Sequence, residues 1–204
     1  MTERDWSQSS EQATILEWAD RRSTHGRWLS VGETDGITAS NVRALALRGW
    51  GGVAIEPAAW AFDRLAELYA DRDDVEVVQA ALVVEPSPLI RFHYARDLLS
   101  TTVEDYRDKW AKSGVPFTPT YVAAITVEQF LSVLPGPYDL ISIDVEGGTL
   151  ALWDELRRLD AFAPGALAIV EAEDGNERYR IQTAAHEGFA RLAVTSNNVL
   201  VERI

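Results

Sequence analysis

The chain has 204 residues, of which 47% are hydrophobic and 25% are charged, so it has ample apolar material for the core of one globular, soluble domain. The net charge of −13, from 19 basic and 32 acidic residues, disfavours nucleic-acid binding, because affinity for a polyanion comes from Lys and Arg. Cysteine is absent, which excludes disulfides and thiolate chemistry. No apolar run approaches the roughly 20 residues that span a bilayer, and the polar, acidic start is unlike a secretory signal, so we expect a cytoplasmic location and no membrane partner.

Short β-branched runs alternate with helical stretches from residue 28 onward, after an expected N-terminal helical extension over 1–27. The runs predicted as strands are 28–32, 52–56, 75–83, 89–95, 138–146, 166–173, 189–195 and 198–204. The predicted helices are 40–49, 58–72, 103–112, 126–134, 149–162 and 177–188. Thr126 is expected to cap its helix, with Gln129 at the third position.

This alternation predicts an α/β domain over 28–204, with a Rossmann-like, mostly parallel, seven-stranded sheet and helices on both faces. The last two runs are joined only by Ser196 and Asn197, with no helix between them. Parallel neighbours need a longer crossover, so the sheet is expected to end in a C-terminal antiparallel hairpin.

The first predicted strand ends in the turn SVGETDGITAS, in which Gly32 and Gly36 would let the backbone approach a ligand closely. A dinucleotide-binding turn has a further glycine, which Thr34 replaces, so an NAD enzyme is disfavoured. Glu33 and Asp35 would repel a pyrophosphate but suit a cationic ligand, such as the ammonium and sulfonium of S-adenosylmethionine (SAM). An ordinary strand-to-helix turn could also contain these glycines.

The second predicted strand ends in Glu56, 24 residues after Gly32, and Pro57 follows it. In a Rossmann-like unit, a carboxylate at this place accepts hydrogen bonds from ribose hydroxyls. A solvated acid at a strand end is the alternative interpretation. Ala81, in the third predicted strand, completes the set of expected cofactor contacts.

The strand YDLISIDVEGG leads from apolar residues to Asp144 and Glu146, and Glu171 and Glu173 end the next predicted strand. Charges seldom end a buried strand unless they face a site. These carboxylates could hold Mg²⁺ or a similar cation, with Asp144 and Glu171 as ligands. The preferred interpretation has no metal: the acids contact the methionine end of SAM, or each other through water.

Taken together, these motifs resemble the FkbM family of class I SAM-dependent methyltransferases along nearly the whole chain. The matching segments are VGETDG with SN at 40–41, RGWGGVAIEP at 48–57, LLSTTVEDYRDKW at 98–110, ITVEQFL at 125–131, YDLISIDVEG at 138–147 and TSNNVLVER at 195–203. The resemblance implies O-methylation of a hydroxyl on a sugar, a glycan or a polyketide-like molecule. It also implies SAM contacts from Gly32, Asp35, Gly36, Glu56 and Asp144.

Two departures from the family pattern stand out. Ser30 occupies a position that is usually acidic, and Gly147-Gly148 replaces the usual bulkier or polar residue after IDVEG. Ser30 is the one feature that favours an alternative function, a non-catalytic SAM-binding or assembly subunit with the same fold.

Methyl transfer to a hydroxyl needs alignment and a base rather than a covalent nucleophile. Asp144, followed by Glu146, is the predicted catalytic residue. The histidines at 25, 93 and 186 follow no strand end at the cofactor edge and are expected to be structural.

Residues 98–121 are expected to form a substrate cap over a small-molecule or glycan acceptor. Its aromatic side chains are Tyr106, Trp110, Phe117 and Tyr121. A nucleic-acid N-methyltransferase is disfavoured by IDVEGG, which stands where such enzymes carry an Asn/Asp-Pro-Pro-aromatic tetrad. The sequence leaves the oligomeric state open.

Overall fold

In the computed structural model, residues 4–22, 25–95, 98–172, 175–183 and 188–204 are described. The helices are α1 (Gln12–Asp20), α2 (Arg43–Leu47), α3 (Ala59–Leu68), α4 (Glu104–Lys112), α5 (Val127–Val133), α6 (Thr149–Arg158) and α7 (Gly175–Thr183). The strands are β1 (Arg27–Val31), β2 (Gly51–Ile55), β3 (Val75–Val78), β4 (Ala81–Val83), β5 (Leu89–Tyr94), β6 (Thr118–Thr126), β7 (Tyr138–Ile143), β8 (Phe162–Glu171), β9 (Phe189–Val194) and β10 (Asn198–Arg203).

The main sheet has seven strands in the order β3-β2-β1-β7-β8-β10-β9. Strands β1, β2, β3, β7 and β8 are parallel, whereas β10 runs antiparallel to both β8 and β9. The order in which strands are added to the sheet reverses between β1 and β7, because β2 and β3 lie on one side of β1 and the later strands lie on the other. The predicted seven-stranded sheet and its C-terminal hairpin are therefore confirmed.

Alternating side chains of the central strands fill two apolar clusters, one on each face of the sheet. Leu29 and Ile141 point to the face that packs with Phe130 of α5 and Trp153 of α6. Their neighbours Trp28 and Leu140 point to the opposite face, which α1, α2 and α3 cover. This arrangement confirms the prediction of helices on both faces.

Helix α1 packs into the second of these clusters. Ile15 and Trp18 are each only 1% exposed, and the Trp18 indole N–H donates to the Gly165 carbonyl at 3.1 Å. The segment predicted as an N-terminal extension thus contributes apolar side chains to the same core as the main sheet.

Within the described residues, no helix has the length and apolar character needed to cross a bilayer.

A second sheet, of three strands in the order β4-β6-β5, corrects the predicted strand assignment. The single strand predicted at 75–83 is two strands, since the chain leaves the main sheet after Val78 and joins the second sheet at Ala81. The strand predicted at 89–95 pairs with β6 and lies outside the main sheet, which is why eight predicted strands gave a sheet of seven. A β-branched run shows that a strand forms but does not show which sheet it joins.

Strand β6 corrects the prediction of a loop after residue 112. Pro116 and Pro119 suggested that loop, yet Pro119 lies within the strand, opposite His93 of β5. Because β4 pairs only with residues 124–126, the other side of β6 at Pro119 has no partner strand among the described residues, and a proline is tolerated there.

Several helix boundaries also differ, while one predicted cap is confirmed. Thr126 accepts from the Gln129 N–H at 3.1 Å, and the Gln129 side chain accepts from the Thr126 N–H at 3.1 Å, which forms the expected capping box. Helix α6 ends at Arg158 rather than 162, because β8 already begins at Phe162.

Candidate active site

A cavity of about 310 Å³ opens at the carboxyl ends of β1, β2 and β7. In open α/β sheets, ligands bind at this edge, where the strand order reverses. Four short segments supply most of its wall, at 31–34, 55–58, 80–85 and 144–148. Among the residues predicted to bind a cofactor, the lining includes Gly32, Glu33, Glu56, Pro57, Ala81 and Asp144.

Gly32 is required by the backbone at the end of β1. Its φ is +82°, and a Cβ at this position would lie 1.7 Å from the Asp144 carbonyl oxygen. Its N–H donates to the Ile55 carbonyl at 2.9 Å. Any other residue would push apart the loops that follow β1 and β7, so Gly32 allows the Asp144 backbone to pack against the turn after β1.

Glu33 is buried beneath this turn and is held by two hydroxyl groups. Ser30 and Ser40 each donate to its carboxylate at 2.5 Å. Burial raises the pKa of Glu33 to about 7, although both hydrogen bonds act in the opposite direction. Ser30, the departure from the family pattern, therefore has a defined role, because it anchors a carboxylate at the cavity wall.

Glu56 follows β2 and braces the other side of the turn. Its carboxylate accepts from the Thr34 N–H at 3.0 Å and from the Ala58 N–H at 2.7 Å. Burial raises the pKa of Glu56 to about 7, with a smaller contribution from the negative charge of Asp144. A carboxylate oxygen has more than one lone pair, so Glu56 can still accept hydrogen bonds from a ligand.

Asp35 and Gly36 belong to the same turn but are not among the cavity-lining residues that the structure describes. The Asp35 carboxylate accepts from the N–H groups of Ile37 and Thr38, at 3.0 and 2.7 Å, and so orders the turn itself. A Cβ at Gly36 would lie 2.6 Å from the Leu68 side chain, so that glycine allows the turn to pack on α3. Their predicted cofactor contacts stay predictions.

The loop after β7 brings Asp144 and Glu146 to the cavity. The Asp144 N–H donates to the Val31 carbonyl at 3.0 Å, which continues the β1–β7 pairing. Glu146, Gly147 and Gly148 all have positive φ, of 51°, 106° and 81°. The two glycines that depart from the family pattern therefore allow a sharp turn beside the two carboxylates.

This loop is tied to the segment predicted as a substrate cap. The Thr101 hydroxyl donates to the Glu146 carbonyl at 2.5 Å, and a Cβ at Gly147 would lie 2.9 Å from Val103. From the predicted cap, Leu98, Ser100 and Thr102 line the cavity. The aromatic residues proposed for this role, Tyr106, Trp110, Phe117 and Tyr121, are not among the described lining residues, so an aromatic cap stays a prediction.

Two aromatic residues that line the cavity were not predicted for it. Trp60, on α3, lies in the predicted helix 58–72, and Phe92, on β5, lies in the strand predicted at 89–95. Both belong to a small apolar cluster between α3 and the three-stranded sheet. No pattern in the sequence indicates a site role for Phe92, because its place beside the cavity depends on the second sheet.

Asp144, Glu146 and Glu171 lie close enough for one carboxylate oxygen of each to be within 4.8 Å of the others. Glu171, at the end of β8, is 5% exposed. Carboxylates group in this way at many sites without a metal, so the alternative of a divalent cation gains no support from the grouping. Glu173, the fourth predicted acid, lies outside the described residues.

The lining is acidic and, across the described ranges, includes no Lys, Arg or His side chain. Its acids are Glu33, Glu56, Glu85, Asp144 and Glu146. His93 is buried away from the lining, and burial, with the charges of Arg107 and Arg91, lowers its pKa. His25 is exposed, and His186 lies outside the described residues. The cavity therefore favours a cationic ligand over an anionic one.

The sequence of this chain matches the family model described as methyltransferase FkbM domain over residues 30–190. The chain belongs to this family. The match spans every strand end that builds the cavity, whereas the N-terminal segment and most of the C-terminal hairpin lie outside it. No curated protein matches the sequence of this chain.

Solved structures of other methyltransferases share the fold of this FkbM-family chain. An rRNA methylase from Streptococcus thermophilus is similar at a TM-score of 0.55 and 10% identity, with 100% of this chain and 99% of that chain covered. A precorrin-6y C5,15-methyltransferase from Geobacter metallireducens is similar at 0.53 and 12% identity, with 100% and 92% covered. At such low identity these likenesses show the class I fold alone, and this fold implies SAM as the cofactor.

Proposed function

We propose that this FkbM-family protein transfers a methyl group from SAM to a hydroxyl of an uncharged sugar, glycan or polyketide-like molecule. The observation that carries the proposal is the cavity at the ends of β1, β2 and β7, whose charged side chains within the described ranges are all carboxylates. The preferred acceptor class comes from the family resemblance, and the character of the lining supports it.

The residues present fit SAM. Glu56 would accept hydrogen bonds from the ribose hydroxyls, because its two oxygens are already oriented by the N–H groups of Thr34 and Ala58. Ala81 and its neighbours Ala80 and Leu82 offer a small, apolar wall beside the ribose position. Glu33 and Asp144 lie on the other side of the turn, where carboxylates suit a positively charged group.

The acceptor side of the cavity combines apolar and hydroxyl side chains. Trp60, Phe92 and Leu98 provide apolar surface, and Ser100 and Thr102 provide hydroxyl groups. This composition suits a ring system that carries hydroxyls. Glu85, Asp144 and Glu146 would repel a phosphate or carboxylate, so an anionic acceptor such as nucleic acid is disfavoured.

Asp144 is the proposed base, with Glu146 next to it on the same loop. Bound SAM would supply a methyl group that its sulfonium has already activated. The Asp144 carboxylate would take the proton from the acceptor hydroxyl as the new bond to oxygen forms. The hydrogen bond from Thr101 and the close packing at Gly147 would hold this loop in place.

The proposal is tested by calorimetry with SAM, followed by mass spectrometry of glycan and natural-product panels incubated with SAM. We expect SAM to bind, and a neutral hydroxyl compound to gain one methyl group. The Asp144→Asn variant should still bind SAM, although more weakly because the ammonium loses one carboxylate, and its kcat should fall by roughly a hundredfold, the scale of general-base catalysis.

Two results would contradict the proposal. Absence of SAM binding by the wild-type protein would exclude SAM-dependent transfer. Binding without transfer to any acceptor would instead favour a non-catalytic SAM-binding or assembly subunit, for which Ser30 was the one sequence signal. Ser30 has a structural explanation in its hydrogen bond to Glu33, so we place this alternative second.

A further inference from the structure

The N-terminal segment, defined as residues 4–11, reaches the cavity although it lies outside the family match. Gln8 is one of the lining residues. The serines on either side of it are anchored: the Ser7 hydroxyl accepts from the Gln12 N–H of α1 at 3.1 Å, and the Ser9 hydroxyl donates to Asn197 at 3.1 Å. The backbone therefore presents Gln8 at a defined place on the rim.

A buried carboxylate fastens this segment to the hairpin between β9 and β10. Glu11 is 0% exposed and accepts from the Thr195 hydroxyl at 2.6 Å and from the Asn198 amide at 2.9 Å. Its other oxygen accepts from the Ser9 N–H at 2.7 Å. Breaking such a network leaves buried polar groups unpaired, so the segment is held firmly.

These anchors place the N-terminal segment on one side of the cavity. Asn198 pairs with Glu171 of β8. In the order of the sheet, β1 and β7 lie between β8 and β2, the strand that Glu56 follows. Gln8 thus approaches from the side opposite the proposed ribose position. Under the proposed function, that side faces the amino-acid end of the cofactor.

The amino-acid end of SAM carries an ammonium and a carboxylate, and the two need different partners. Glu33 and Asp144 suit the ammonium, but the described lining contains no cationic side chain for the carboxylate. The amide of Gln8 has two N–H donors and no charge. Since Gln8 is exposed at the rim, its side chain can turn toward a bound ligand without leaving a buried group unpaired.

We infer that Gln8 donates a hydrogen bond to the carboxylate at the amino-acid end of the cofactor, which makes the N-terminal segment part of the cofactor site. The inference rests on the proposed function. It also assigns a binding role to a residue that precedes the family match at residues 30–190.

Two ligands that differ at this end provide the test. S-adenosylhomocysteine carries the amino acid, whereas 5′-methylthioadenosine has the same adenosine and thioether but lacks it. By calorimetry, Gln8→Ala should weaken S-adenosylhomocysteine binding about tenfold, as expected for one hydrogen bond to a charged group, and leave 5′-methylthioadenosine binding unchanged. Gln8→Glu should weaken S-adenosylhomocysteine binding further, because it places a second negative charge beside the carboxylate.

Ser10→Ala is the matched control, since Ser10 is exposed on the same segment and is not among the described lining residues. It should bind both ligands like the wild type. Equal binding of S-adenosylhomocysteine by Gln8→Ala and wild type would overturn the inference, as would an equal loss for both ligands. Failure of the wild-type protein to bind S-adenosylhomocysteine would instead count against the proposed function itself.

Discussion

The two sides of the cavity are built in different ways. The side formed by the ends of β1, β2 and β7 is buried and joined by short backbone and carboxylate hydrogen bonds, centred on Gly32, Glu33 and Glu56. The opposite side comes from residues 83–85, Phe92 of β5 and residues 98–102, and the side chains of Glu85 and Leu98 there are exposed. Under the proposed function, the first side would bind the cofactor, while the second, with more exposed side chains, would contact the acceptor.

The largest effect that this comparison predicts is on folding of the buried side. Gly32→Ala should lower the free energy of unfolding by about 4 kcal/mol, because a Cβ would overlap the Asp144 carbonyl at a positive φ. Gly114→Ala is the control: Gly114 has a φ of +91° but no atom within 4 Å of the new Cβ, so the cost should be about 1 kcal/mol. Urea denaturation measures both, and equal losses would show that the contact with Asp144 does not constrain the turn.

The next effect is on cofactor affinity. Glu56→Ala should weaken SAM binding roughly a hundredfold, or about 2.7 kcal/mol, because ribose loses its acceptor and the N–H groups of Thr34 and Ala58 lose theirs. Glu67→Ala, on the exposed face of α3, should bind SAM normally. Calorimetry measures the SAM affinity of both variants. Unchanged affinity in Glu56→Ala would show that Glu56 does not bind the cofactor.

A smaller effect is expected from pH. Burial raises the pKa of Glu33 and of Glu56 from 4.5 to about 7. A cationic cofactor favours their ionised forms, so SAM binding should release protons near pH 7, and affinity should rise about tenfold between about pH 6 and about pH 8. Calorimetry in two buffers of different ionisation enthalpy measures this release, which should be smaller in Glu56→Gln. Proton uptake on binding would contradict the prediction.

The same shifts determine how the ligand-free protein responds to pH. Since the folded state holds these protons more tightly than the unfolded state, the contribution of Glu33 and Glu56 to stability is greatest below about pH 4.5 and is lost as the pH rises through about 7. Wild-type protein and Glu33→Gln should therefore differ in the pH dependence of their urea midpoints over this interval. Parallel curves would show that Glu33 is not buried as the structure has it.

The smallest effect concerns the more exposed side. Leu98→Ala should raise the KM for the acceptor about threefold through lost apolar contact, and leave SAM affinity unchanged. Leu89→Ala, which removes an exposed leucine of β5 outside the described lining, should change neither value. Steady-state kinetics with the acceptor identified in the panel measures KM for both variants. A loss of SAM affinity in Leu98→Ala would contradict the assignment of Leu98 to the acceptor side.

The sequence by itself determined the parallel sheet, the C-terminal hairpin and the strand ends at Gly32, Glu56 and Asp144. These features depend on local periodicity and on residues close together in the chain, and parallel strands bring their carboxyl ends to one edge without further information. The division of 75–83 between two sheets, the strand β6, the structural roles of Ser30 and Gly36, and the arrival of Gln8 and Phe92 at the cavity were decided by the tertiary structure. Each depends on contacts between residues far apart in the chain, such as Glu11 with Asn198, and no pattern within a single segment records them.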